Sequence, residues 1–111
     1  MEIDERRNRV RANIQVAAVE EYEAKEQQVT AIDISEYGIQ YQRPVDSNQR
    51  TGNEVMLTFS LLDRLQPIKV LCWVVQERVE QDHISTHATF MFLPDKDEKT
   101  IQSFVALHGP L

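Results

Sequence analysis

Apolar and polar residues alternate along most of this chain, and a period of two is typical of half-buried β-strands. We predict strands at residues 13–23, 27–35, 38–42, 54–62, 66–80 and 84–93. The second of these alternates most strictly, and its two predicted faces are Thr30, Ile32 and Ile34, and Val29, Ala31, Asp33 and Ser35. A polar loop containing proline and glycine, at residues 43–53, separates the third strand from the fourth.

The hydrophobic pattern changes near the end of the chain. Four residues there recur at the spacing of one helix face, namely Ile101, Phe104, Val105 and His108. Acidic residues precede this stripe and Gly109-Pro110 follows it, so we predict a helix over residues 95–108. Six strands followed by one helix, without strand–helix alternation, favour a mainly β fold whose antiparallel sheet curls into a barrel or a sandwich.

The length of 111 residues suits a single domain with a sizeable core. We divide it into a polar N-terminal arm at residues 1–11, a β part at residues 12–93 and the helix at residues 95–108. The chain contains no run of 18 apolar residues and its N-terminus lacks the apolar centre of a secretory signal. We therefore expect a cytoplasmic protein without membrane insertion, in which Cys72 is a buried thiol.

Several kinds of chemistry lack a recognisable pattern in this sequence. The three histidines are not spaced as metal ligands with cysteine or carboxylate pairs, and glycine-rich phosphate loops and the G-x-S-x-G nucleophile elbow are absent. The many carboxylates are interpreted as solvated surface groups. We therefore expect a protein that is not an enzyme and that holds neither a metal nor a cofactor.

Charge is distributed unevenly. The chain carries a formal charge of −6 and a pI near 5.0, which argues against binding to DNA or to long polyanions. Nevertheless, four of its 12 basic residues lie close together before the first strand, at Arg6, Arg7, Arg9 and Arg11. Guanidinium groups bind phosphate and the edge of guanine in a bidentate manner, so this arm is suited to a small anionic nucleotide. The alternative is a solvated basic tail.

The second distinctive pattern is D-x-S-x-x-G, formed by Asp33, Ser35 and Gly38 at the end of the second predicted strand. Gly38 is expected to allow a positive φ in the turn. One interpretation is a capped hairpin turn in which the two polar side chains bond to nearby backbone. The other places the carboxylate of Asp33 against the N–H donors of a guanine, with Ser35 helping to fix the ligand.

Together, Arg7-x-x-x-Arg11 and the following D-x-S-x-x-G make the chain resemble the PilZ domain, a bacterial receptor module for cyclic di-GMP (c-di-GMP). The run Glu5-Arg6-Arg7 and the aromatic strand end before a C-terminal helix extend the resemblance to most of the chain. It implies a six-stranded antiparallel β-barrel with a C-terminal helix and a flexible N-terminal arm that closes over the ligand.

The resemblance also implies a set of binding residues. Arg7 and Arg11 would contact phosphate and guanine, with Arg6 and Arg9 adding charge or replacing them, and Asp33, Ser35 and Gly38 would read the base. Trp73 is a candidate for stacking on a guanine, although filling the core is an equal alternative. Two departures from the family pattern concern residues 86–87, where a glycine is missing, and Gln76-Glu77, where an arginine is common.

The resulting hypothesis is a sensor whose arm becomes ordered when c-di-GMP binds and which then signals to a protein partner. Two alternatives are a PilZ-like protein-interaction module with weak or no nucleotide binding, and a small barrel that binds single-stranded nucleic acid. The low pI disfavours the last of these.

Overall fold

A computed structural model of the protein describes residues 11–46, 48–61 and 66–108. These residues form six strands and one helix, in agreement with the predicted order of elements. The elements are β1 (Ala12–Tyr22), β2 (Lys25–Ile34), β3 (Gly38–Arg43), β4 (Glu54–Phe59), β5 (Ile68–Val79), β6 (Ile84–Phe92) and α1 (Asp95–His108).

The strands form a closed barrel in the order β1-β2-β3-β6-β5-β4, with every neighbouring pair antiparallel. This confirms the barrel and excludes the sandwich. The interior is filled by inward-facing apolar side chains from all six strands, among them Ala18, Val29, Ile39, Tyr41, Val55, Leu57, Val70, Val74 and Ala88.

The predicted faces of β2 are wrong because the strand contains a bulge. Its pairing with β3 shifts register between Ala31 and Asp33, so that Ile32 is an extra residue on this strand. Val29 and Ala31 point into the core before the bulge, and Ile34 does so after it. A bulge reverses the faces that strict alternation assigns, and here it turns Asp33 toward the outside of the barrel.

Helix α1 packs on the barrel through the predicted stripe, since Ile101, Phe104 and Val105 are all buried. His108 lies on the exposed side of the last turn, with its ring 4.6 Å from that of Phe104. Three acidic residues occupy the first turn, where they interact favourably with the helix dipole. Among the residues that the structure describes, no helix is long and apolar enough to cross a membrane.

A polar network lies inside the barrel and was not predicted. The fully buried carboxylate of Glu20 accepts hydrogen bonds from the Tyr41 hydroxyl at 2.6 Å and from Arg50 Nη2 at 3.1 Å. Burial and the neighbouring Glu20 raise the pKa of Tyr41 well above its ordinary value. The guanidinium of Arg50 also lies over the Tyr22 ring, 4.4 Å from its centroid.

A second buried ion pair adjoins the first. The side chain of Arg43 is fully buried and donates to Glu77 through Nε at 2.7 Å and through Nη2 at 3.0 Å. Glu77 also accepts bonds from the backbone N–H of Arg50 and from the Thr86 hydroxyl. The interpretation of all carboxylates as surface groups is therefore wrong for Glu20 and Glu77, which hold the loop between β3 and β4 against the barrel.

The single cysteine is buried, as predicted. Cys72 is 0% exposed on β5, and its environment raises the pKa of its thiol to about 12 because burial disfavours the thiolate. A thiol in this state is a packing group rather than a nucleophile.

The hairpin between β1 and β2 turns through Glu23 and Ala24, which both have positive φ, at 53° and 64°. A non-glycine residue in this region is strained by about 1–2 kcal/mol. Replacing Ala24 with glycine should therefore raise the free energy of unfolding by about 0.5–1 kcal/mol, after the greater freedom of glycine in the unfolded chain is subtracted. Urea denaturation checks this value.

The matched control is Ala17→Gly, at an exposed position of β1 whose φ is not positive. There glycine removes no strain and should lower stability by about 0.5–1 kcal/mol. Two substitutions of the same chemistry on one hairpin should thus have opposite signs, and a loss of stability in Ala24→Gly would contradict the strain argument.

Candidate ligand-binding site

Arg11 of the arginine pattern and Asp33 of the D-x-S-x-x-G pattern meet on the outer surface of the barrel. Arg11 precedes β1 and Asp33 lies near the end of β2, and the Nε of Arg11 is 2.6 Å from Oδ1 of Asp33. This ion pair is partly open to solvent, with the arginine side chain 44% exposed and the aspartate side chain 20% exposed. An ion pair of this exposure contributes little to folding, so both groups can exchange partners at low cost.

The turn after β2 is tightly bonded to itself and to its surroundings. The N–H of Ser35 donates to the Gly38 carbonyl at 2.9 Å, and the Ser35 hydroxyl accepts from the N–H of Tyr37 at 3.1 Å. The Glu36 side chain accepts a hydrogen bond from Gln102 on α1. These bonds give the turn a fixed shape. Ser35 therefore agrees with the capped-turn interpretation. Asp33 instead bonds to the side chain of Arg11.

Gly38 is required for a reason other than the predicted one. Positive φ among the glycines of the described residues occurs at Gly52 and not at Gly38. Instead, a Cβ on Gly38 would overlap the backbone carbonyl oxygen of Ala88 on β6. The absence of a side chain therefore allows β3 and β6 to approach closely at this point, where Gly38 borders an open space on the barrel surface.

That space is part of an open cavity of about 190 Å³. Its walls come from the arm, the turn and the outer faces of three strands, and its lining residues are Arg11, Ser35, Tyr37, Gly38, Ile39, Val75, Gln76, His87, Ala88 and Thr89. The cavity thus contains one side chain of the arginine pattern and two residues of the D-x-S-x-x-G turn.

A second bulge shapes the opposite wall. The pairing of β5 with β6 shifts register between Val74 and Gln76, so that Val75 and Gln76 both face outward into the cavity. After the bulge Glu77 faces the interior, where it binds Arg43. Glu77, at a position where an arginine is common in the family pattern, therefore directs its charge away from the cavity.

His87 also lines the cavity, on the outward face of β6 between Gln40 of β3 and Gln76 of β5. Partial burial, together with the nearby charge of Arg11, holds the pKa of His87 below its ordinary value. The sequence patterns marked this position for a missing glycine and did not assign His87 to the site. No short pattern marks the histidine, because strand pairing is what brings it to the site.

Trp73 lies on the outer face of β5 and is 41% exposed, which excludes the core-filling interpretation. It is paired with Thr89, a lining residue of the cavity, but it is not itself part of the lining. Arg6, Arg7 and Arg9 lie outside the described residues. Within the described part of the chain, no cluster of His, Cys, Asp or Glu is arranged to hold a metal ion.

Known structures share the fold of this chain. No curated protein sequence matches the chain. Among solved structures, the PilZ domain of YcgR from Escherichia coli, determined with c-di-GMP, has a TM-score of 0.73 at 11% identity over 93% of this chain and 91% of that one. The Bacillus subtilis inhibitor of motility, MotI, has a TM-score of 0.80 at 13% identity over 90% of this chain.

A third structure, PlzA of Borreliella burgdorferi in complex with c-di-GMP, has a TM-score of 0.66 at 12% identity over 94% of this chain. The chain spans only 49% of MotI and 44% of PlzA. At these identities the likeness concerns the fold. The sequence itself also matches the family model of the PilZ domain, over residues 5–107. Because this match covers most of the sequence, the chain belongs to the PilZ domain family.

Proposed function

We propose that this protein is a receptor for c-di-GMP that binds the nucleotide at the cavity beside the Arg11–Asp33 ion pair. The observation that carries this proposal is the pair itself, in which a guanidinium suited to phosphate and a carboxylate suited to the donors of guanine lie 2.6 Å apart. Membership of the PilZ family and the c-di-GMP present in the YcgR and PlzA structures support the choice of ligand.

The chemistry of the two groups fits the two parts of the ligand. A guanidinium forms short, charge-assisted bonds with phosphate, which are about twice as strong as neutral hydrogen bonds. A carboxylate accepts hydrogen bonds from the N1–H and N2–H donors of guanine. In the free protein each group partly satisfies the other, and the ligand replaces one ion pair with bonds to both.

The size of the cavity indicates how much of the ligand it holds. Its volume of about 190 Å³ is below the range of about 300–1,000 Å³ that is usual for whole small-molecule sites. We infer that the cavity takes one part of the nucleotide, and that the arm residues Arg6, Arg7 and Arg9 close over the remainder. Ordering of this arm on binding belongs to the same proposal.

The proposed protein acts through binding rather than catalysis, in the cytoplasm, and passes the ligand-bound state to a protein partner. Exposed apolar side chains on β5 and β6, namely Trp73, Val75, Met91 and Phe92, offer a surface for such a partner. The same surface favours the second candidate function, a PilZ-like interaction module with weak or no nucleotide binding.

Isothermal titration with c-di-GMP separates the two functions, with cyclic di-AMP, GTP and a short oligonucleotide as controls. The proposal expects saturable binding of c-di-GMP, with a measurable stoichiometry, and much weaker binding of the controls. Binding of the oligonucleotide in preference to c-di-GMP would indicate a nucleic-acid-binding barrel. Failure to bind any nucleotide would favour the interaction module.

The role of Asp33 is tested by Asp33→Ala. This variant should lose most of the preference for c-di-GMP over cyclic di-AMP, because the guanine donors then lose a charged acceptor worth about 1.5–3 kcal/mol. Competition between the two cyclic dinucleotides measures the preference. Glu36→Ala is the matched control. It removes another carboxylate of the same turn, one that is hydrogen-bonded to Gln102 on α1. An unchanged preference in Asp33→Ala would contradict the assigned role.

A further inference from the structure

His87 occupies a position that the proposed ligand must approach. Its side chain faces outward from β6 and lines the same cavity as Arg11, Ser35 and Gly38. Its register partners are the uncharged Gln40 on β3 and Gln76 on β5. An imidazole at this point presents a flat face and two ring nitrogens to whatever fills the cavity.

Three charged groups act on the imidazole from the elements around it. Arg11, which precedes β1, and Arg78, on β5, both oppose its protonation, whereas Asp33, on β2, favours it. Partial burial acts in the same direction as the two arginines and is the largest cause, so the pKa of His87 lies below its ordinary value. The free protein therefore holds this histidine in the neutral form near pH 7.

We propose that His87 is a further ligand-contacting residue of this cavity, which takes up a proton when the anionic nucleotide binds and so makes binding tighter as the pH falls. This inference rests on the proposed function. An anion bound at Arg11 offsets one of the two arginine charges that oppose protonation of His87, and it offers the imidazolium a direct hydrogen-bond acceptor. Both effects favour the protonated ring in the complex over the free protein.

The direction of the pH dependence follows from linkage. A group whose pKa is higher in the complex than in the free protein binds more protons in the complex, so lowering the pH favours binding. The phosphodiesters of the ligand remain ionised throughout this range and contribute no opposing change. The dissociation constant should therefore fall by up to about tenfold between about pH 7.5 and about pH 5.5.

The test is isothermal titration of the whole chain with c-di-GMP across this pH range, repeated in buffers of different ionisation enthalpy. The wild type should take up a fraction of a proton per ligand near about pH 6.5 and should show the predicted slope. His87→Gln should bind with a dissociation constant that is nearly independent of pH. His83→Gln is the matched control, because His83 lies after β5 beside Asp82 and outside the cavity.

The pKa of His87 can also be measured directly in the wild type, so this test does not depend on the stability of any variant. Its imidazole resonances, followed by NMR against pH, should titrate at a higher pKa in the presence of saturating c-di-GMP than in its absence. Binding that is independent of pH, or a slope that persists unchanged in His87→Gln, would overturn the inference and leave the proposed function intact. Absence of c-di-GMP binding at every pH would overturn both.

Discussion

Replacing Glu77 with glutamine is expected to lower the free energy of unfolding by about 3–5 kcal/mol, because it leaves a buried arginine without its counter-charge. The carboxylate of Glu77 accepts four hydrogen bonds, two of them from Arg43, whose side chain is fully buried. The amide NH₂ of glutamine would instead face N–H donors. Chemical denaturation monitored through Trp73 fluorescence measures the loss.

The same substitution should change the pH dependence of stability. Burial alone would raise the pKa of Glu77, but the bonds from Arg43, from the Arg50 backbone and from Thr86 outweigh it and hold that pKa below its ordinary value of 4.5. The stabilisation by this carboxylate is therefore present above about pH 4.5 and is lost as the pH falls through the lower pKa of the folded state. The difference in stability between the wild type and Glu77→Gln should shrink in acid.

An exposed ion pair at the end of the same strand provides the comparison. Arg78 and Glu80 are 3.7 Å apart, and their side chains are 69% and 37% exposed. Glu80→Gln should change stability by less than about 1 kcal/mol, since exposed pairs are screened by solvent. Equal effects of Glu77→Gln and Glu80→Gln would show that the buried network does not hold the barrel together.

The second large effect concerns the ligand. Arg11→Ala is expected to weaken c-di-GMP binding by about 1.5–3 kcal/mol, or roughly 10- to 150-fold, which is the range for hydrogen bonds to a charged group. Its effect on the folding of the free protein should stay within about 1 kcal/mol, because the bond to Asp33 is partly exposed. Titration calorimetry and a melting curve on the same preparation measure the two quantities.

Lys69→Ala is the control for the loss of a positive charge, since Lys69 is exposed on β5 and does not line the cavity. It should bind c-di-GMP like the wild type. If Arg11→Ala unfolds at a much lower temperature and binds normally, Arg11 is a structural residue and its proposed role in the site is wrong.

The order and type of the elements could be predicted because alternation and helical spacing are local properties of the chain. The faces of β2 could not, because the bulge at Ile32 depends on how β2 pairs with β3. One extra residue moves every following side chain of the strand to the opposite face. Neither Ile32 nor its neighbours carry a sequence signal for a bulge at this position. Similarly, the outward position of Val75 requires the bulge in β5.

The resemblance alone assigned Arg11 and Asp33 to one site, since a residue before β1 and a residue on β2 carry no local signal of proximity, and their direct contact was not predicted. His87 was missed for the same reason. So was the role of Gly38, which is to allow the backbone of β3 to approach Ala88 on β6. The buried ion pairs could not be predicted either. A glutamate that faces the barrel interior cannot be distinguished in the sequence from a surface glutamate until its arginine partner is known. Glu77 and Arg43 lie 34 positions apart in the sequence.

Closure of the barrel has a consequence for how this protein can associate. Each of the six strands in the described part of the chain pairs with a neighbour on both sides over at least part of its length, so none of these strands has a whole edge free to pair with a foreign β-strand. Addition of a strand along a whole edge would first have to break the hydrogen bonds between two neighbouring strands of the barrel. Any stable assembly is therefore expected to form through side chains on the barrel's outside.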